Sequence, residues 1–131
     1  MTVDKFNDAL DAFMSEEEHQ IRLFMEFEVN AHKYPELLQV FHVANGGYRH
    51  KATAGKLKAL GVRAGVPDLL LLVPRGKYHG MALELKRLRK GAVISPAQAV
   101  WLDRLQRNGY CAVVASGWRD ALEKILEYLE L

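Results

Sequence analysis

Two short apolar runs, Leu69–Val73 and Gly80–Leu83, lie a polar turn apart in the middle of this chain, and they constrain its fold more than anything else in it. Strands that are apolar on nearly every residue, and not on alternate ones, are those covered on both faces. The runs therefore predict two central strands, Asp68–Val73 and Met81–Lys86, joined through Pro74–Gly80 as a hairpin and enclosed by helices. A run as short as Leu69–Val73 is far from spanning a bilayer. With 131 residues, the chain can build one domain with a sizeable core but not two.

The flanking sequence supplies the helices. Val3, Phe6, Ala9, Leu10, Phe13 and Met14 recur at helical spacing, predicting an amphipathic helix over 3–14. Ser15-x-x-Glu18 is a capping-box pattern that opens a second helix, expected to run to about His32, with Pro35 beyond it. Leu37–Ala44 reads as a strand stopped by Asn45-Gly46-Gly47. Lys51–Leu60 is a helix ending at Gly61, and Gly65-Val66-Pro67 breaks the chain before the first central strand. Ser95 and Pro96 suit the N-cap and first position of another helix, expected to reach Asn108. Tyr110–Ala115 is a last strand, and Trp118–Leu129 a last helix. The expected class is α/β, a central mixed β-sheet flanked by helices.

Charge is unevenly distributed. Residues 1–40 carry three basic and nine acidic side chains, residues 41–90 eleven and two, residues 91–131 four and five. A basic middle in a chain of net charge +2 suggests a face for a polyanion, the alternative being a solvated lysine-rich surface. The single cysteine, Cys111, lies in an apolar run and reads as a small core side chain. One cysteine makes no internal disulfide, and the N-terminus lacks a secretory pattern, so a cytoplasmic setting is expected.

The two acids of the basic segment are Asp68 and Glu84, one in each central strand. In a hairpin the start of one strand lies beside the end of the other, so the two carboxylates can meet. Lys86, two residues after Glu84, shares its face. Paired carboxylates offer hard oxygen ligands to Mg²⁺ or Mn²⁺, with the Leu85 carbonyl as a further donor. Lys86 could orient an attacking water or neutralise charge on a phosphate. Glu-x-Lys alone would more simply be a surface ion pair; Pro67-Asp68 on the neighbouring strand makes the site reading the stronger.

Gly61-Val-Arg-Ala-Gly65-Val-Pro67-Asp68, Gly80-Met-Ala-Leu-Glu84-Leu-Lys86 and Ser95-Pro-Ala-Gln98, in this order with Asn45-Gly-Gly-Tyr48-Arg49, resemble the VRR-NUC domain. This is a branch of the PD-(D/E)xK nuclease superfamily, and the likeness is greatest to its small stand-alone phage and bacterial members. The resemblance implies a restriction-endonuclease-like core over residues 15–131, with 1–14 as an N-terminal helix and possible dimer contact. It implies Asp68, Glu84 and the Leu85 carbonyl as metal ligands for Mg²⁺ or Mn²⁺, and Lys86 as the catalytic lysine. Gln98 would support the site or touch the scissile strand. A glutamate on the first helix of the family core, followed four residues later by glutamine, matches Glu16 and Gln20, with Glu17 and Glu18 as competitors. The implied function is a metal-dependent endonuclease acting on DNA, with branched duplexes such as four-way junctions as the leading substrate. Junction resolution would call for a homodimer, and the setting would be a bacterial cell or a phage-infected host. The alternatives are a less selective phage DNA-processing nuclease and a DNA-binding module that does not cleave.

Asn45, Tyr48, Arg49, His50 and Lys51 combine flexible backbone, cations and a ring suited to phosphate contact, against the simpler reading of a charged turn. Arg87, Arg89 and Lys90 follow the lysine directly and read either as a phosphate-contacting loop or as a solvated one. Ser95 supports the site only through its cap. The five histidines make no zinc pattern. Trp101 and Trp118 are expected to be core or interface anchors in helices, the alternative being base-stacking platforms.

Overall fold

The computed structural model describes residues 2–44, 51–88 and 92–131, with the side chains of 51 and 52 left aside. Its elements run α1 (Val3–Asp11), α2 (Glu16–Asn30), a 3-10 turn (Pro35–Gln39), β1 (Phe41–His42), α3 (Lys51–Ala59), β2 (Leu69–Leu71), β3 (Met81–Lys86), α4 (Pro96–Arg107), β4 (Cys111–Ser116) and α5 (Gly117–Leu129). Among the described residues, three helices begin on a side-chain cap. Thr2 caps α1, Ser15 caps α2, and Ser95 caps α4 with a complete capping box and Pro96 in the first turn. At α2 only half of the expected box forms, the Ser15 hydroxyl accepting the Glu18 N–H.

The strands make one mixed sheet in chain order. β1 and β2 pair antiparallel, as do β2 and β3, and β3 runs parallel to β4 with α4 as the crossover. The two apolar runs are thus the two central strands. Leu69, Leu71, Met81, Leu83 and Leu85 point into the main core, built with Leu23 and Phe27 of α2 and Trp118, Ala121 and Ile125 of α5. The opposite face is thinner: Ala82 and Ala112 pack under Leu102 of α4. Small residues there bring α4 close to the sheet, which matters for the site.

One expected strand is mostly absent. Leu37–Ala44 contributes only the two-residue edge strand β1, and its first half is a 3-10 turn. Pro35 has its φ preset for a helical first turn and opens that turn. Leu37 is buried and Leu38 exposed, so the pair anchors one side chain and does not line a strand face. Among the described residues no helix is long and apolar enough to cross a membrane.

Candidate active site

Extending the β2–β3 register one step beyond Leu69↔Leu83 sets Asp68 opposite Glu84. By strand alternation both look toward the α4 side, with Ala82 between Glu84 and the thin core. Glu16, in the first turn of α2, brings a third carboxylate. One oxygen from each of Glu16, Asp68 and Glu84 lies within 4.8 Å of the others. Helix phase sets Glu16 apart from Glu17 and Glu18: Glu16 is half-buried and near the other two carboxylates, whereas its neighbours are exposed. Gln20, a turn further along α2, is half-buried and lines a shallow groove with Phe24 and His42.

Pro67 has a role that a chain break does not describe. Leu69 and Leu83 are partners in the antiparallel ladder, so the next rung would pair position 67 with Leu85. Proline has no N–H to give the Leu85 carbonyl. The Leu85 N–H is taken instead by Asp68 Oδ2 at 2.9 Å. The N–H and C=O of a strand residue point to the same edge, so the Leu85 carbonyl also faces the Asp68 side with no ladder donor. An acid tied to the strand end, and beside it a carbonyl without a ladder donor, follow from the Pro-Asp pair.

Gln98 locks the other side. It is the third residue of α4, and its Oε1 accepts the Ser95 N–H at 2.8 Å, the capping-box bond. The same oxygen accepts from Lys86 Nζ at 3.1 Å, while Nε2 donates to Glu84 Oε1 at 2.7 Å. Only this amide orientation satisfies all three bonds. Lys86 Nζ also stands 3.6 Å from Glu84 Oε1. One side chain therefore caps the start of a helix and fixes both an acid and an amine on the strand.

Glu84 is 1% exposed. Burial, followed by the charge of Asp68, pushes its carboxyl up to about 8, against the opposing pull of Lys86. Glu16 is also raised, first by burial, with Lys86 and Arg87 pulling down and Asp68 pushing up. Glu84 Oε2 is buried without a hydrogen-bond partner. Three carboxylates, an orphaned Glu84 oxygen and the Leu85 carbonyl fit a small hard cation and do not suit a soft one. Arg87 is half-buried beside this cluster, and its Nε is enclosed without a partner.

Gly65 holds α4 in place. It sits at φ +88°, and a Cβ there would fall 2.6 Å from the carbonyl carbon of Ala97, the residue before Gln98. The loop leading to Asp68 thus lies against the helix turn that carries Gln98. The sequence offers Gly65-Val-Pro67 as a break; the close approach to α4 is a tertiary contact with no local signal. Asn45, Tyr48, Arg49, His50, Arg89 and Lys90 lie outside the described residues, as does the Lys51 side chain.

The model of the VRR-NUC domain family matches residues 8–118, which include every residue of this cluster. The chain belongs to the VRR-NUC family. A solved structure described as a VRR_NUC domain protein matches with a TM-score of 0.76 at 31% identity, covering 89% of each chain. No curated protein matches. VRR-NUC membership brings a nuclease fold, and the mixed sheet with helices on both faces is the form it takes here.

Proposed function

We propose that this VRR-NUC protein is a Mg²⁺- or Mn²⁺-dependent endonuclease that hydrolyses DNA phosphodiesters, with branched duplexes, four-way junctions first among them, as substrate. The observation that carries the reading is the Glu16–Asp68–Glu84 cluster with an orphaned Glu84 oxygen and Lys86 at its edge. Glu16, Asp68, Glu84 and the Leu85 carbonyl would hold the cation. When bound, such an ion supplies Lewis acidity, lowering the pKa of water and offsetting charge that gathers on phosphate. Lys86 orients the attacking water and neutralises the developing negative charge. Gln98 keeps Lys86 and Glu84 at fixed separation through its two bonds, and Ser95 holds Gln98. Gln20 supports Glu16 from the next helical turn.

The basic middle of the chain draws the phosphate backbone toward these acids. Arg87 contacts phosphate beside the cluster, and Asn45, Tyr48, Arg49, His50, Lys51, Arg89 and Lys90 extend that contact along the strand. Residues 15–131 form the catalytic domain, and 1–14 a dimerisation arm. Two copies related by a two-fold axis match a two-fold junction, which needs two cuts.

Asp68→Ala and Lys86→Ala are expected to lower cleavage by at least ~100-fold while DNA binding persists. Activity surviving in either variant overturns this chemistry. Cutting an immobile four-way junction no faster than linear duplex would instead mark a less selective DNA-processing nuclease. Binding without cutting of any duplex, flap or junction in Mg²⁺ or Mn²⁺ would mark a DNA-binding module.

A further inference from the structure

Beside the acidic cluster is a notch of about 400 Å³, lined by Val43, Leu60, Val62, Arg63, Val66 and Trp101 among others. Backbone connections place it next to the candidate site. The Val43 N–H donates to the Asp68 carbonyl at 2.8 Å, and Val66 lies two residues before Asp68. Trp101 follows Gln98 by three residues on α4, about one helical turn. The wall on the far side is the end of α3, closed by the Val62 N–H donating to Leu57 at 3.0 Å.

The chemistry of the lining is specific. The interior is aliphatic and aromatic, and no acid is among its described lining residues. Arg63 stands in the wall, exposed. Lys56 and Lys58 are exposed in the last turn of α3, and the Arg104 guanidinium lies 5.8 Å from the centre of the Trp101 ring. A flat apolar guest carrying negative charge just outside the notch complements this arrangement.

We propose that the notch receives an unpaired nucleobase of the DNA whose backbone lies on the acidic cluster, with Trp101 as its stacking face and Arg63, Lys56 and Lys58 on the adjoining phosphates. This rests on the nuclease reading above and names the feature of the substrate that it selects. A nucleobase has a π-face whatever its identity, so stacking on Trp101 is tolerant of sequence. A base in continuous duplex must be unpaired and unstacked before it can enter, which costs least at bulges, gaps and branch points. Preference for DNA with an unpaired base beside the cut then follows from the shape of the protein.

The test compares a duplex carrying one bulged nucleotide with the same duplex fully paired, bound in Ca²⁺ and followed by tryptophan fluorescence. Trp118 is buried between the guanidiniums of Arg22 and Arg119, 4.4 and 4.3 Å from its ring, so a change on binding reports Trp101. Bulged DNA is expected to quench the wild-type fluorescence and to bind more tightly than paired DNA. Trp101→Leu keeps an apolar side chain but no ring, and should lower affinity for bulged DNA by about fivefold to a hundredfold. Trp101→Phe should retain most of the preference. Absence of quenching in the wild type, or equal affinity of wild type and Trp101→Leu for bulged DNA, overturns the proposal. Cleavage of the same duplexes in Mg²⁺ separates the two readings. Cutting that is indifferent to Trp101 removes the notch alone, and quenching without any cutting removes the nuclease alone.

Discussion

Glu84 is a carboxyl whose proton the fold holds more tightly than an ordinary glutamate does, because Lys86 offsets only part of the pressure from burial and Asp68. Its folded-state value of about 8 lies above that of an ordinary glutamate because burial and Asp68 oppose its charge. In the metal-free protein the native state therefore keeps a proton that the unfolded chain has already released. Stability from this group is complete below the unfolded value and is lost as pH rises through the folded one. Melting in EDTA should accordingly fall by on the order of 5 °C between about pH 5 and about pH 8. Glu84→Gln, which keeps the shape without the charge, should flatten that slope. A divalent cation added at about pH 8 replaces the proton and should restore the melting temperature of the wild type more than that of the variant. An equally steep slope in Glu84→Gln would show that another group is responsible.

At the scale of elements, the site depends on where the first turn of α4 rests. Gly65 touches Ala97 so closely that a methyl group has no room, and its φ of +88° is strained for any other residue. Gly65→Ala combines a backbone clash with a left-handed alanine, which costs ~1–2 kcal/mol by itself. The variant should lose melting temperature and, at temperatures where it remains folded, most of its cleavage, because Gln98 moves with Ala97. Activity like that of the wild type would mean that α4 does not position the site. The elements themselves were legible where the pattern was local: two apolar runs made the central strands, and Ser95-Pro96 opened α4 as read. Leu37–Ala44 was not, because Pro35 imposes a turn that a hydropathy pattern does not register. Glu16 was legible through its likeness to the family, by its spacing to Gln20; three consecutive glutamates otherwise look alike along the chain, and the phase of α2 against the sheet sets Glu16 apart from its neighbours. Pro67 is intermediate: its missing N–H is plain from the sequence, but its consequence for Leu85 needs the register.

At the scale of the whole molecule, α1 and α2 carry apolar side chains that stay exposed among the described residues. Val3, Phe6 and Leu10 are between half and three-quarters exposed along α1, as are Ile21, Met25 and Val29 at four-residue spacing on α2. An isolated nine-residue helix such as α1 is marginal in water. It is tied to the body at its end, through Asp11 to Arg119 at 2.7 Å and through Met14 against the core. The six side chains offer on the order of 600 Å² of surface, most of the ~800 Å² per partner of a stable interface. A second copy of the same chain presents the same stripe, and a two-fold axis buries both at once. Light scattering at tens of micromolar should therefore give twice the chain mass. Phe6→Glu with Leu10→Glu puts charge into that surface, and should give monomer whose Glu16–Asp68–Glu84 cluster is untouched. Such a monomer should still nick a four-way junction but lose paired, simultaneous cuts. Monomeric wild type at that concentration, or paired cutting by the monomeric variant, would remove the dimer from the mechanism and leave the chemistry of the cluster standing.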